Sequence, residues 1–438
     1  MLSHEDNELV TRTGPGTPAG NLLRAYWQPA ALVSEMSPER PVKPVRLLGE
    51  DLVLYKKDDG GWALVSRFCA HRGVDLSFGR LEDGGLRCLY HGWLYGADGR
   101  CLEQPAEPER SRFHEKVRIA AYPCQERNGI VFAYLGGGTP PPFPDYDCFL
   151  APEEYTFAFK GLWECNWLQG VEGGIDPSHV SFLHRFLDED PRETYGQQFR
   201  EEVEGTGKTL SSIVGESFRP DIDVETDVHG LRVFAVRTLS QDLRHVRVTN
   251  LVFPNAFVVP FGNDKVFCQW HVPVDDHNHY WYMIFYDFRE KTDKETLLRQ
   301  RMAGVTLPDF RSTRNRDNDW GFDPGEQKSR TYTGMGLDIN VHDQWAVESM
   351  GPIQDRTVER LGVSDRAVTA NRRLLLRSIA AHAAGRPVPG LATDEASAAA
   401  LRGPLAVDTT APAGGWQQHW RDQEAKRRAE SPWAGVLP

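Results

Sequence analysis

The chain has 438 residues, 40% of them hydrophobic and 12 of them Trp, with a formal net charge of −12. That composition suits two or three packed domains and excludes a disordered chain. The acidic balance argues against a nucleic-acid binder, which wants a basic patch. Seven cysteines are scattered without a disulfide framework, which predicts free thiols in a reducing compartment. The first residues, Met1-Leu2-Ser3-His4-Glu5-Asp6, carry neither a basic nor an apolar leader. No apolar stretch approaches the ~18 residues that a membrane span needs. A soluble cytoplasmic protein that binds neither membrane nor nucleic acid is the expectation.

Residues 1–41 read as a lead-in, with a short helix over 22–27 halted by Gln28-Pro29, because proline disfavours helix at the residue before it. From 42 to 138 the pattern is short strands and turns. Apolar runs at 44–48, 52–55 and 62–65 are parted by Gly49-Glu50-Asp51 and Asp58-Asp59-Gly60-Gly61, which are hairpin signals. A closing strand follows at 129–135. A small all-β domain with functional loops at one end is predicted.

Those loops are Cys69-Ala70-His71 and, after 16 intervening residues, Cys88-Leu89-Tyr90-His91. Two thiolates and two imidazoles at this spacing suit a Rieske [2Fe-2S] centre, in which two cysteines hold one iron and two histidines the other. Structural zinc is the alternative, but zinc fingers usually keep their cysteines together and their histidines together. Here each pair is mixed.

Thr139-Pro140-Pro141-Pro142-Phe143-Pro144 cannot continue a sheet and marks a boundary. Residues 139–385 then form the second predicted domain. A helix is expected over 160–186. Strand-like runs rich in Val, Phe, Tyr and Trp follow at 224–229, 231–239, 245–260, 266–272 and 279–288, joined by short links that imply an antiparallel sheet. Helical patterns come at 293–304, 338–350 and 364–384. Residues 386–438 read as a Gly/Pro/Ala-rich linker followed by a charged helix at 416–429.

The second metal pattern is Asp176-Pro177-Ser178-His179, then His184. Two histidines and one carboxylate around an open face make the facial triad of non-haem Fe(II) oxygenases. Histidines five apart point about 140° apart on a regular helix. The helix is therefore expected to bulge or break between His179 and His184. Asp176, three residues before His179, is placed to orient it as a carboxylate partner. The third ligand lies elsewhere, with Asp343, Glu348 and Asp355 as candidates. Arg232, Arg237 and Arg247 fall on strand-like runs, and an inward-facing one could clamp a substrate carboxylate. Arg247 has the most apolar neighbours, Val246 and Val248.

At Cys69–Gly73, Cys88–Trp93 and Asn166–His184 the chain resembles the Rieske non-haem iron aromatic-ring-hydroxylating oxygenases. More closely, it looks like the large subunits of the phthalate dioxygenase-like group. The run from Asp343 to Glu348 with Gly351 to Arg356 adds to the likeness, which covers roughly 20–385. The resemblance implies an α+β protein: an N-terminal all-β Rieske domain plus a helix-grip (START/Bet v1-like) catalytic domain with an antiparallel sheet. It implies that Cys69, His71, Cys88 and His91 hold the cluster and that His179, His184 and Asp343 hold a mononuclear Fe(II). Asp176 would bridge His179 to the partner subunit's His91 in a homotrimer, or in a hexamer of stacked trimers. Electrons would come from NAD(P)H through a flavin/ferredoxin-type reductase. Dioxygen would attack an aromatic, carboxylated substrate, giving ring dihydroxylation or, as the alternative, monooxygenation such as O-demethylation of a methoxylated aromatic acid.

Overall fold

A computed structural model describes residues 1–188, 202–203, 206–262 and 264–435. The front of the molecule is all β. Strands Val42–Leu47, Glu50–Lys56, Trp62–Ser66 and Ala121–Tyr122 form one antiparallel sheet. Arg80–Glu82, Gly85–Arg87, Leu94–Gly96 and Cys101–Glu103 form a second. Two hairpins are closed by Asp83-Gly84 and Asn128-Gly129, all four residues at positive φ. That backbone twist matches the flanking strands, and the Asx-Gly pair adopts it at low cost. Val53, Tyr55, Val65, Leu76, Leu86 and Tyr95 fill a core belonging to this domain.

The lead-in is more than a lead-in. It holds two helices, His4–Thr11 and Pro18–Arg24, the second starting and ending earlier than the expected 22–27, and Trp27–Leu32 is a strand paired antiparallel with Ile130–Tyr134. The turn at Leu48-Gly49 donates its amides to the carbonyls of Pro273 and Val274, which anchors the front domain to the sheet of the second.

That sheet runs Asp221–Thr226, Gly230–Thr238, Leu243–Val252, Ala256–Phe261, Lys265–Pro273, His279–Asp287 and Thr156–Trp163, antiparallel along this path, and ends with the short strand Arg311–Ser312 parallel to Thr156–Trp163 and Val305–Thr306 beyond it. Three expectations need correction. The segment expected to be helical from residue 160 opens as the strand Thr156–Trp163, and its helix is only Trp167–Ile175. The run 245–260 is two strands, folded back at Phe253-Pro254-Asn255. The segment expected to be a linker holds a short helix, Glu395–Ala399, and a strand, Val407–Pro412, that pairs with Leu243–Val248 inside the sheet. Val407-Asp408-Thr409-Thr410 is β-branched enough to be a strand, but its Gly/Pro/Ala-rich flanks hid that.

Period-2 alternation gives the sheet two faces. Phe234, Val236, Val246 and Val248 pack outward, under Trp420 of the C-terminal helix Trp416–Glu430. Ala235, Arg247, Thr249, Phe257 and Gln269 face inward onto a cavity. The helix Trp167–Ile175 lies against that inner face. It can do so because of Gly170 and Gly174: an added Cβ would meet His271 at 2.2 Å and the Phe257 ring at 1.9 Å. Behind it, Glu172 accepts from both Arg356 and Arg372, a buried charge network that ties this helix to Arg366–Ala383. No described helix is long and apolar enough to cross a membrane.

Candidate functional site

The two front loops are built alike. Each begins on a buried cysteine whose amide hydrogen-bonds forward, Cys69 to Val74 O and Cys88 to Trp93 O, both at 2.9 Å. Each ends on a glycine four residues later that donates back to the cysteine carbonyl. Gly73 and Gly92 have φ of +74° and +73°, conformations that disfavour side chains. The loops face each other, with the His71 and His91 rings 4.6 Å apart and Trp93 stacked on His71. His91 Nδ1 is buried without a hydrogen-bond partner among the described residues. Burial pushes the Cys88 thiol up, and the amides of Tyr90 and His91 pull it back. The Tyr95 hydroxyl accepts from Ala70 N at 3.1 Å and lies 3.2 Å from Cys69 Sγ. Its proton is therefore free to point at the sulfur. Two buried thiols, two facing imidazoles and an unsatisfied ring nitrogen fit a [2Fe-2S] cluster.

The second centre starts where the helix Trp167–Ile175 stops. The break falls earlier than expected: Asp176 caps the helix with an extended backbone and receives Ser178 N at 2.7 Å. His179 then opens a single 3-10 turn, His179–Ser181, and His184 follows. The opposing helix, Ile339–Glu348, brings Asp343. One ligand atom from each of His179, His184 and Asp343 falls within 4.8 Å of the others. Asp343 Oδ1 is 3.2 Å from His184 Nε2 and 3.7 Å from His179 Nε2. Asp176 Oδ2 lies 3.8 Å from His179 Nδ1. Burial pushes His179 down in pKa, but Asp176 and Asp343 outweigh it and the ring stays above the usual range. Burial wins at His184, which is lowered. Asp343 is held below the usual carboxylate range against burial by the two imidazoles. Three donor groups converging on one point, one carboxylate and two imidazoles, fit Fe(II) with open positions.

The other carboxylate candidates are elsewhere. Asp355 is on the surface, accepting from Thr357. Glu348 is buried and fully used, by Glu164 N, Gln344 and the Trp320 indole.

The cavity beside the triad is about 80 Å³ and lined by Gly170, Phe257, Val259, Phe261, Phe267 and Val347 among its apolar groups. An engineered apolar cavity of ~150 Å³ takes benzene, so a substituted ring enters only as these walls give way. Arg247 lines the cavity, held by Asp408 of the C-terminal strand, which also contacts His245. Arg237 is fully buried next to it. Its Nη2 donates to Pro177 O at 3.1 Å, and its Nε and Nη1 have no hydrogen-bond partner among the described residues. Burial, with Arg247 adding, pushes its pKa down to about 10. Arg232 turns the other way, to Asp227 and the Trp420 ring. Sequence reasoning missed Asp408, His245 and the polar row Gln269, His271 and His279. The available signal for the row was the Gln269-x-His271 alternation within a strand.

A family profile for the Rieske [2Fe-2S] domain matches residues 26–123, and one described as LigXa C-terminal domain like matches 139–432. The oxygenase subunit of phthalate 4,5-dioxygenase from Pseudomonas putida is 34% identical, with 89% of each chain covered. The oxygenase subunit of 5,5'-dehydrodivanillate O-demethylase from a Sphingobium species is 32% identical over 86% of this chain and 81% of that one. The fold matches a solved reduced complex between oxygenase and ferredoxin in carbazole 1,9a-dioxygenase. The TM-score is 0.57 and the identity 23%, with 88% of this chain and 98% of that one covered.

Proposed function

Because the chain belongs to the Rieske non-haem iron oxygenases, as an oxygenase large subunit, we propose that it dihydroxylates an aromatic ring bearing a carboxylate. The observation that carries this reading is the convergence of His179, His184 and Asp343 on a mostly apolar cavity that also holds Arg247. When bound, the cluster relays single electrons and the mononuclear iron activates dioxygen. In this reading Cys69, His71, Cys88 and His91 hold the first, and His179, His184 and Asp343 the second.

The chain's own residues do the rest. Phe257, Val259, Phe261 and Phe267 hold the ring and exclude water. Arg247 pairs with the buried carboxylate Asp408, and Arg237, close enough to feel that charge, is bonded only to the Pro177 carbonyl among the described residues. A surplus buried cation is costly unless an anion joins it, and a substrate carboxylate would supply that anion. Asp176, with Oδ2 3.8 Å from His179 Nδ1, would orient that ring and bridge it to the partner subunit's His91.

A second copy, in a homotrimer, is part of the reading. Beside the cluster loops Phe68, Leu89, Tyr90 and Phe113 are exposed. Beside His179 an apolar groove of about 720 Å³ is lined by Phe182, Trp320, Phe322 and Tyr332. Two exposed apolar surfaces of this kind suit an interface. Electrons would enter from a flavin/ferredoxin-type reductase.

The test supplies the purified, iron- and sulfide-reconstituted protein with a reductase, NADH and a panel of aromatic acids, and reads product masses. Addition of two oxygens is the expected result. Loss of a methyl group with formaldehyde would mean O-demethylation instead, a reading favoured by the demethylase relative. Absence of a third iron per chain overturns both.

A further inference from the structure

Inside the cavity wall a chain of four groups fixes the direction of every hydrogen bond in it. It begins at the carbonyl of Cys165, which only accepts. His279 Nδ1 lies 2.7 Å from it and must carry a proton there. The neutral ring then has a bare Nε2, 2.9 Å from His271 Nδ1. His271 must therefore be protonated on Nδ1, leaving its Nε2 bare. Gln269 Nε2 stands 3.1 Å away and donates. A charged ring would break this logic, but both histidines are fully buried. Burial takes His279 down to about 4 and His271 well below its usual value. Turning the Gln269 amide over would set an acceptor against an acceptor.

Gln269 lines the cavity between Phe257 and Phe267. With its nitrogen committed to His271, its carbonyl oxygen has no hydrogen-bond partner among the described residues. We infer that Gln269, held in one orientation by His271 and His279, is a specificity-determining residue that selects aromatic substrates carrying a hydrogen-bond donor, a ring hydroxyl or N–H, where the ring meets this wall. A lone acceptor on an apolar wall loses its hydrogen bond to water when the substrate enters. A ring that offers no donor leaves it unsatisfied, and that asymmetry is the source of the selection. The inference deepens the aromatic-acid reading and rests on it for the occupant of the cavity.

Two measurements test it. In the holoenzyme under anaerobic conditions, calorimetry compares the three hydroxybenzoates with benzoate and with their methoxy ethers. At least one hydroxybenzoate should bind about tenfold more tightly than both of its counterparts, and Gln269→Leu should bring that ratio close to one. A ratio near one in the native protein, or one that survives Gln269→Leu, overturns the inference. Nitrogen-15 NMR of the histidine rings reads the tautomers directly in the native protein. Protons on Nδ1 of both His271 and His279 are expected, and a proton on His271 Nε2 overturns the inference. Failure of benzoate and all its derivatives to bind would instead sink the aromatic-acid reading, and the tautomers would still decide the orientation of Gln269.

Discussion

The two metal-binding regions solve the same problem in opposite ways. The cluster loops are local: each carries two donors within four residues, closed by its own amides and a positive-φ glycine. The second centre is assembled from a helix end, a turn and a helix far along the chain. Its donors depend on how the helix Trp167–Ile175 settles on the sheet, and so on Gly170, Gly174 and the Glu172 network. A local site can be lost or kept as a unit, whereas an assembled one inherits every packing error around it.

The largest effect should come from the ligands themselves. Asp343→Ala is expected to abolish product formation, by more than ~100-fold, and to remove one iron per chain. The visible bands of the cluster should remain. Cys69→Ala should do the reverse to the spectrum. Iron and acid-labile sulfide assays on both variants check this, and loss of cluster in Asp343→Ala would break the separation.

Next comes the packing that only the assembled site needs. Glu172→Gln leaves Arg356 and Arg372 buried without their shared carboxylate. It should cost about 3–5 kcal/mol by urea unfolding, with cluster colour retained until the main transition.

Asp408 gives a smaller, pH-dependent effect. Burial raises its pKa, but His245 and Arg247 overcome that and hold it at about 2. A depressed carboxylate adds stability above its unfolded pKa near ~4, and that stability is lost as pH falls toward the folded value. Between pH 5 and pH 2 the native protein should lose about 2–3 kcal/mol more than Asp408→Asn, measured by unfolding midpoints.

The smallest effect belongs to the local site. Tyr95→Phe removes one hydrogen bond to Cys69 Sγ. At about 1 kcal/mol the cluster potential should fall by roughly 40 mV, with iron occupancy at His179 and His184 unchanged. A shift there in the absence of any cluster change would contradict the division between the regions.

The same division explains what could be read from the chain. The cluster loops were legible because their donors are near neighbours in sequence and their spacing is the signal. The antiparallel strands were legible through Val, Phe and Trp enrichment. The sequence also pointed to His179, His184 and Asp343, and the fold draws these together. What was not legible arises from cross-strand register. Asp408 stands opposite Arg247 only because Val407–Pro412 joins the sheet, and nothing near residue 408 announces that. Likewise the helix before Asp176 looked longer than it is, since Phe159, Leu162 and Trp163 are as apolar as a helix face. Their β-branch-poor sequence hid a strand that is set by its pairing with His279–Asp287.

The strand that carries Asp408 has a consequence for biosynthesis. Arg247 is made 161 residues before its counter-charge, so that part of the cavity wall can be neutralised only after Val407–Pro412 has been made and has paired with Leu243–Val248.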